Sequence, residues 1–448
     1  MMPAVRPRPA SRHPKEDCMR NRMTPTRLAA VIALILAGIA STTTGAVASH
    51  TASPRTCAFE LRIGDVLPFT GDLSAYGANL DRAVKQAVVL QNAALKKSGL
   101  TRASVRLVGS EDGQTQASAS VEAATKLIKV NKATVIIGEM ASSATIPMAQ
   151  SVTIPNNVVL VSPTSSAPQI SDLKDKGLVF RAYPSDALQS KVLAAAALTK
   201  FGRGAKVNVG ARNDAFGAAL QSLFVAEWKR LGGNIGASVS WNPDQANFDT
   251  DAAKFVDGNP AGWILIDFPD TFEKFAPSLV RSGKWSATKT LGIEALRNAE
   301  TLDKIGDPVK GLSGSAGSAA GGPAGKAFAA YWKKNVKGAK AYTGFEGTAF
   351  DAAMTAFLAA VRGCSSSPAR IKANMRAVSG PPGPKVTFLN LAAGVKAAAS
   401  GKDINYEGTF SPVDFDPNGD IGSAVYEIWQ YDGGGKITTL RTITFRGS

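Results

Sequence analysis

From Leu61 onward, short apolar runs alternate with longer stretches of helical spacing, and midway along the chain the alternation starts again. The first set of runs is LRIGDV (61–66), VRLVG (105–109), TVIIG (134–138) and VVLV (158–161). Between them, LDRAVKQAVVLQNAAL places Leu80, Val84, Ala87 and Val88 at helical spacing, and VEAATKLIKV follows from Val121. The second set is KVNVG (206–210), ASVSW (237–241), WILID (263–267) and TLGIE (290–294). AFGAALQSLFVAEWKRLG, FDTDAAKFV and DTFEKFAPSLVRSG lie between those runs. Apolar strands joined through helices belong to parallel sheets covered on both faces. Two such sets in succession predict an α/β protein of two lobes, and 448 residues are enough for both.

The rest of the chain is less regular. GLSGSAGSAAGGPAG (311–325) reads either as a flexible surface connection or as a crossing between lobes followed by a loop. Helical patterns resume at KAFAAYWKKN and GTAFDAAMTAFLAAVRG, and PPGP (381–384) is a turn or loop. The tail, GTFSPVDFDPNGDIGSAVYEIWQYDGGGKITTLRTITF, reads as strands joined by NG and GGG turns.

The N-terminus carries an address. Leu28–Ala40 holds no charge but is too short to span a bilayer, which takes about 20 residues. Arg27 precedes it, and the small residues of GAVA (45–48) follow. A secretory signal cleaved after Ala48 is expected, giving a mature chain from Ser49; the competing reading is a buried core helix. Counted from Met23 the signal has normal length, so residues 1–22 read as an over-called start or a long basic leader. Ile39 stands where a lipid-anchoring Cys would follow LAG. Without residues 1–48 the formal charge falls from +16 to +11. The remaining basic residues are scattered, with no basic run carrying interleaved aromatics, which argues against a nucleic-acid partner. Cys18 leaves with the leader, and Cys57 and Cys364 remain as an even pair in an oxidising compartment, expected to form a disulfide. The alternative is two buried thiols.

Much chemistry is excluded. The only two histidines, His13 and His50, lie outside the repeating α/β body, so no His-based triad, base or metal site forms there. GGGK (433–436) lacks the Ser/Thr of a phosphate loop and sits in the strand-like tail. Carboxylate-only catalysis stays open on composition.

Six segments in order resemble the leucine/isoleucine/valine-binding proteins: IGDVLPFTGDLSAYG (63–77), GSEDGQTQASASVEAATKLI (109–128), GEMASSATIPMA (138–149), VSPTSSAP (161–168), FRAYPSD (180–186) and VDFDPNGD (413–420). The resemblance runs from about Leu61 to Thr444. It implies a two-lobed type I periplasmic binding protein fold, with parallel sheets flanked by helices and ligand trapped between lobes joined by three crossings. The crossings are expected near 185, 314 and 410. The lobes would then comprise residues 58–185 with 315–410, and 186–314 with 411–448. Hinge closure is the motion such proteins use.

An amino-acid ligand offers a carboxylate and an ammonium on one carbon. Its site needs hydroxyls and N–H groups for the first and a carboxylate for the second. Ser142 and Ser143 follow a strand at a helix start, where they serve either as anion contacts or as a plain N-cap. The resemblance puts the ligand carboxylate on Ser142. Thr164, Ser165 and Ser166 are expected to add hydroxyl and backbone contacts, with an ordinary polar loop as the alternative. Tyr76, Phe216 and Phe268 are expected to line the cleft or to pack in the core. Relatives often carry Tyr near the last two, where this chain has Phe216 and Pro269, which leaves the exact ligand open. Asp186 matches an acidic residue near the first crossing and also suits a helix N-cap. Glu294 aligns with the residue that receives the ligand ammonium, and it is expected to be solvated while the cleft is open. Trp263, on the strand leading to Phe268, is expected near the cleft.

These readings point to an exported solute-binding protein rather than an enzyme. It captures a branched-chain or other small apolar amino acid for an ABC permease and its ATPase, as a monomer without cofactor or metal. A sensory protein for amides, urea or amino acids is the alternative. An exported hydrolase using paired carboxylates is a third class, distinguished by turnover of a candidate substrate.

Overall fold

The computed structural model describes residues 57–318 and 323–446. The expected signal segment and its cleavage point lie outside them. Within residues 57–181 the order is β1 (Phe59–Leu67), α1 (Ser74–Ser98), β2 (Ala103–Asp112), α2 (Ala117–Lys129), β3 (Val135–Gly138), α3 (Ser142–Met148), β4 (Val159–Ser162) and β5 (Val179–Arg181). These strands form a five-stranded parallel sheet in the order β2-β1-β3-β4-β5. The helix over it forms as the spacing predicts: Leu80, Val84 and Ala87 are fully buried. Gly99 ends α1 in the left-handed conformation at φ 84°, where a residue without Cβ carries no steric penalty.

The second set repeats the plan. After α4 (Asp186–Phe201) come β6 (Lys206–Arg212), α5 (Ala215–Arg230), β7 (Asn234–Trp241), α6 (Asp249–Val256), β8 (Gly262–Ile266), α7 (Pro269–Arg281), β9 (Thr290–Gly292), α8 (Ala299–Ile305) and β10 (Ser313–Gly317). Four further helices follow, α9 (Pro323–Asn335), α10 (Phe345–Gly363), α11 (Pro368–Ser379) and α12 (Leu391–Ala399), with the short paired strands β11 (Lys385–Val386) and β12 (Asn405–Tyr406). The tail forms β13 (Ser423–Gly433) and β14 (Lys436–Arg446), an antiparallel hairpin turning through the GGG segment. The second sheet has seven strands, ordered β14-β13-β10-β9-β8-β6-β7. Its β7-β6-β8-β9-β10 part repeats the parallel doubly wound order of the first sheet, and β13 then pairs antiparallel to β10.

The Gly/Ser/Ala-rich segment is the clearest departure from expectation. Residues 313–317 are neither connection nor loop but a strand inside the second sheet, flanked by β9 and β13. The chain leaves that sheet after Gly317, later than expected. Large neighbours explain the small side chains. A Cβ on Gly314 would stand 2.6 Å from the Trp429 ring, and one on Gly317 would stand 2.5 Å from the Phe410 ring.

Three ties fasten the connecting segments. Arg181 at the end of β5 is fully buried and pairs with Asp420 of the FDPNGD turn at 2.5 and 2.8 Å, while its Nη1 donates to Ala167 O. On α10, the Asp351 carboxylate accepts from Tyr406 Oη (2.8 Å), Thr409 N (2.7 Å) and Phe410 N (3.1 Å). Burial raises its pKa to about 7, against the pull of those donors. Cys364, just past α10, forms a disulfide with Cys57, just before β1. No helix among the described residues is long and apolar enough to cross a membrane.

Candidate ligand-binding site

The loops after the carboxyl ends of corresponding strands in the two sheets converge on one small cavity. From the first sheet come Leu73 after β1, Met140, Ala141 and Ser142 after β3, and Thr164 and Ser166 after β4. From the second come Phe216 after β6, Phe268 after β8, and Glu294 and Ala295 after β9; Phe345 at the start of α10 completes the wall. Open α/β sheets bind ligands in this position, beyond the strand ends where the order reverses.

One side of the cavity is built from hydroxyls. Ser142 Oγ accepts from Ser166 N (3.2 Å) and Ala167 N (3.1 Å). A hydroxyl has two acceptor sites and one donor, so these bonds occupy the acceptors and leave the O–H to donate. Thr164 Oγ1 donates to Met140 O at 2.8 Å, tying the β4 loop to the β3 loop. Ser165 faces the same seam: its hydroxyl bonds Thr145 Oγ1 at 2.7 Å, so it braces the wall and does not line the cavity. Ser143 is also outside the lining. Glu139, which the sequence reading missed, folds back to accept from Ala141 N at 2.6 Å and is fully buried. Burial raises its pKa to about 7, with backbone donors opposing.

The opposite side is acidic. Glu294 opens a short 3₁₀ turn after β9 and is only 7% exposed here, whereas the expected solvated carboxylate concerns the open cleft. The two lobes meet around it: the Tyr76 hydroxyl, from the first, donates to Ala295 O of the second at 2.8 Å. Tyr76 thus stands behind the lining, edge-on to Phe345 with ring centroids 5.0 Å apart. Gln189 Nε2 donates to Glu294 Oε2. Burial raises the Glu294 pKa to about 7, and the Gln189 bond pulls the other way. Asp186 is fully buried, and neither of its oxygens completes a hydrogen bond. Its pKa is held well above the usual carboxylate range by burial and then by the charge of Glu294, with the nearby Ser166 hydroxyl offsetting part of the rise. The N-cap role considered for Asp186 belongs instead to Ser185, whose side chain accepts from Ala187 N. Gln189 sits one turn after Asp186 on the same helix face, a spacing the sequence displays but that carries no signal by itself.

The remaining wall is apolar. Phe216 and Phe268 stack with centroids 5.3 Å apart, and Phe345, Leu73 and Met140 close the space around them. Trp263 is not part of it. It lies at the amino end of β8, donates to Phe255 O at 3.1 Å and borders a separate surface groove with Lys284 and Lys289. The arrangement offers a hydroxyl wall on one side, the Glu294 carboxylate on the other and an aromatic floor, with Asp186 buried outside the lining. Among the described residues no His/Cys/Asp/Glu group could hold a metal ion.

Residues 60–428 match the family model described as periplasmic binding protein. The Leu/Ile/Val-binding protein BraC3 of Rhizobium johnstonii is 30% identical over 169 residues, which covers 37% of this chain and 43% of that protein. The matched stretch thus spans less than half the length of that relative. Among solved structures, a leucine binding protein from Thermotoga maritima superposes with a TM-score of 0.70 at 21% identity, covering 86% of this chain and 98% of that one. A solute binding protein of an ABC transporter from Rhodopseudomonas palustris, in complex with 3,4-dihydroxybenzoic acid, gives 0.66 at 16% identity, with 86% and 98% coverage.

Proposed function

The chain belongs to the periplasmic binding protein family, and from that premise we propose that it is the exported receptor of an ABC importer that traps a small apolar amino acid between its lobes. The observation that carries this reading is the buried Glu294 carboxylate facing the Ser142 hydroxyl across one cavity, with Asp186 buried nearby outside the lining. A buried carboxylate with no cation beside it is costly, and a ligand ammonium against Glu294 removes that cost. Ser142, with Ser166 and Thr164 beside it, receives the ligand carboxylate, and Phe216, Phe268 and Phe345 enclose an apolar side chain. The first lobe takes residues up to about 185 and the α9–α12 region; the second takes the intervening chain and the tail. The protein works as a monomer delivering to a permease and its ATPase. Binding is its whole task, and no step of chemistry is assigned to it.

A second reading has support in the Phe216–Phe268 stack. The Rhodopseudomonas palustris neighbour was solved with an aromatic acid, and this floor suits a ring. The buried carboxylates oppose a ligand that brings only negative charge. A thermal-shift screen of the amino acids, small amides and benzoates separates the readings. A true ligand at 100 times its Kd stabilises the native state by about 2.7 kcal/mol. Stabilisation by apolar amino acids and not by benzoates is expected. The reverse pattern assigns the site to aromatic acids, and stabilisation by amides or urea assigns it to sensing.

A further inference from the structure

Arg212 ends β6 with a side chain only 4% exposed. Three carboxylates surround its guanidinium: Asp214 at 2.5 Å, Asp72 at 2.7 Å and Asp267 at 3.8 Å. Asp214 and Asp267 follow β6 and β8, in the sheet that carries Arg212 itself. Asp72 comes from the other sheet, in the loop between β1 and α1, next to the cavity-lining Leu73. Two weaker links run alongside: Asp270 N donates to Asp72 O at 3.4 Å, and Ser74 Oγ donates to Asp270 at 3.3 Å. The same guanidinium lies 3.8 Å from the centroid of the Phe268 ring, which also stacks with Phe216.

This arrangement has a division of labour. Asp214 pairs with Arg212 within its own lobe, and burial holds the more distant Asp267 carboxyl well above the usual carboxylate range, so Arg212 is anchored without the other lobe and can still attract a second carboxylate. Asp72 reaches it only when the lobes meet. A pair brought together away from water is screened little and interacts strongly, unlike the exposed ion pairs of the rim. We propose that Arg212 is a positioning residue that serves both sides of the cleft: Asp72 docks on it to latch the lobes shut, and the same guanidinium packs on Phe268 at the floor of the closed cavity. The inference rests on the capture reading above but concerns how the cleft shuts, not what it holds.

The test uses the full chain with spin labels at Gln116→Cys and Ala246→Cys, exposed positions in the loops beyond β2 and β7. Distances are measured with no addition and with L-leucine. The parent protein should show a short-distance component without addition, growing with L-leucine. Asp72→Asn should reduce that component about threefold or more and speed L-leucine dissociation about tenfold at unchanged association. Lys340→Met, which breaks the exposed Lys340–Glu300 pair (2.7 Å; side chains 53% and 48% exposed), should change neither. The latch is overturned by an Asp72→Asn distribution identical to the parent's, by a parent with no short component, or by an equal effect of Lys340→Met. If L-leucine leaves the parent unmoved while Asp72→Asn still removes the short component, the ligand class fails and the latch stands.

Discussion

At the scale of single residues, Glu294 carries most of the functional weight in the proposed reading and a share of the pH dependence. Glu294→Ala should weaken amino-acid binding by roughly 30-fold to several thousand-fold, the consequence of removing one partner of a buried charge pair. Glu294→Gln should also bind poorly, separating charge from shape, and calorimetric titration of both variants reads this directly. Parental affinity in both would assign the ammonium elsewhere. Because Glu294 is buried, its replacement also acts on stability. Its folded pKa of about 7 lies above the ordinary 4.5, so the folded state binds the extra proton and stability declines as pH rises through that window. Glu139 and Asp351 are raised in the same sense to about 7. Without ligand, the urea midpoint should therefore be higher at pH 5.5 than at pH 8. Glu294→Gln should narrow that gap by raising stability at pH 8, on the order of 1–3 kcal/mol. Ligand binding runs the other way. An ammonium favours the ionised acid, so affinity should fall about tenfold per pH unit below 7. Ser142, Thr164, Ser166, Phe216, Phe268 and Glu294 were legible in the sequence because each follows a strand end. Phe345 and Gln189 were not, since they come from helices whose approach to the cavity only the tertiary fold decides.

At the scale of elements, apolar runs declared most strands, and β10 shows where that signal fails. Its SGSAG sequence has no apolar run because Trp429 and Phe410 fill the volume its own side chains would take. Composition at one strand reflects its neighbours, and neighbours are not readable locally. Trp263 shows a related limit: a strand can be located correctly while the end of it that faces the cleft is not. The FRAYPSD and FDPNGD segments were read as separate motifs, and the Arg181–Asp420 pair explains why both are present. Asp420→Ala strands a fully buried guanidinium and should cost about 3–5 kcal/mol by urea unfolding. A loss below 1 kcal/mol would mean that Ala167 O and Ser171 Oγ satisfy Arg181 unaided.

At the scale of the whole molecule, the restart of the strand–helix alternation was the strongest signal in the chain, and the two sheets share the order it implies. The Cys57–Cys364 disulfide closes a separation of 307 residues. Reduction should lower stability by about 2–5 kcal/mol, checked by unfolding with and without reductant; a non-reducing peptide map with two free thiols contradicts the pairing. On the proposed reading, the cleft recognises an ammonium and a carboxylate on one carbon. This is tested most directly by titrating the protein with L-leucine and with 4-methylpentanoate, which keeps the carboxylate and side chain but lacks the amine. L-leucine should bind at least about 30-fold more tightly, with the difference abolished in Glu294→Gln. Equal affinity for the two compounds would contradict the account.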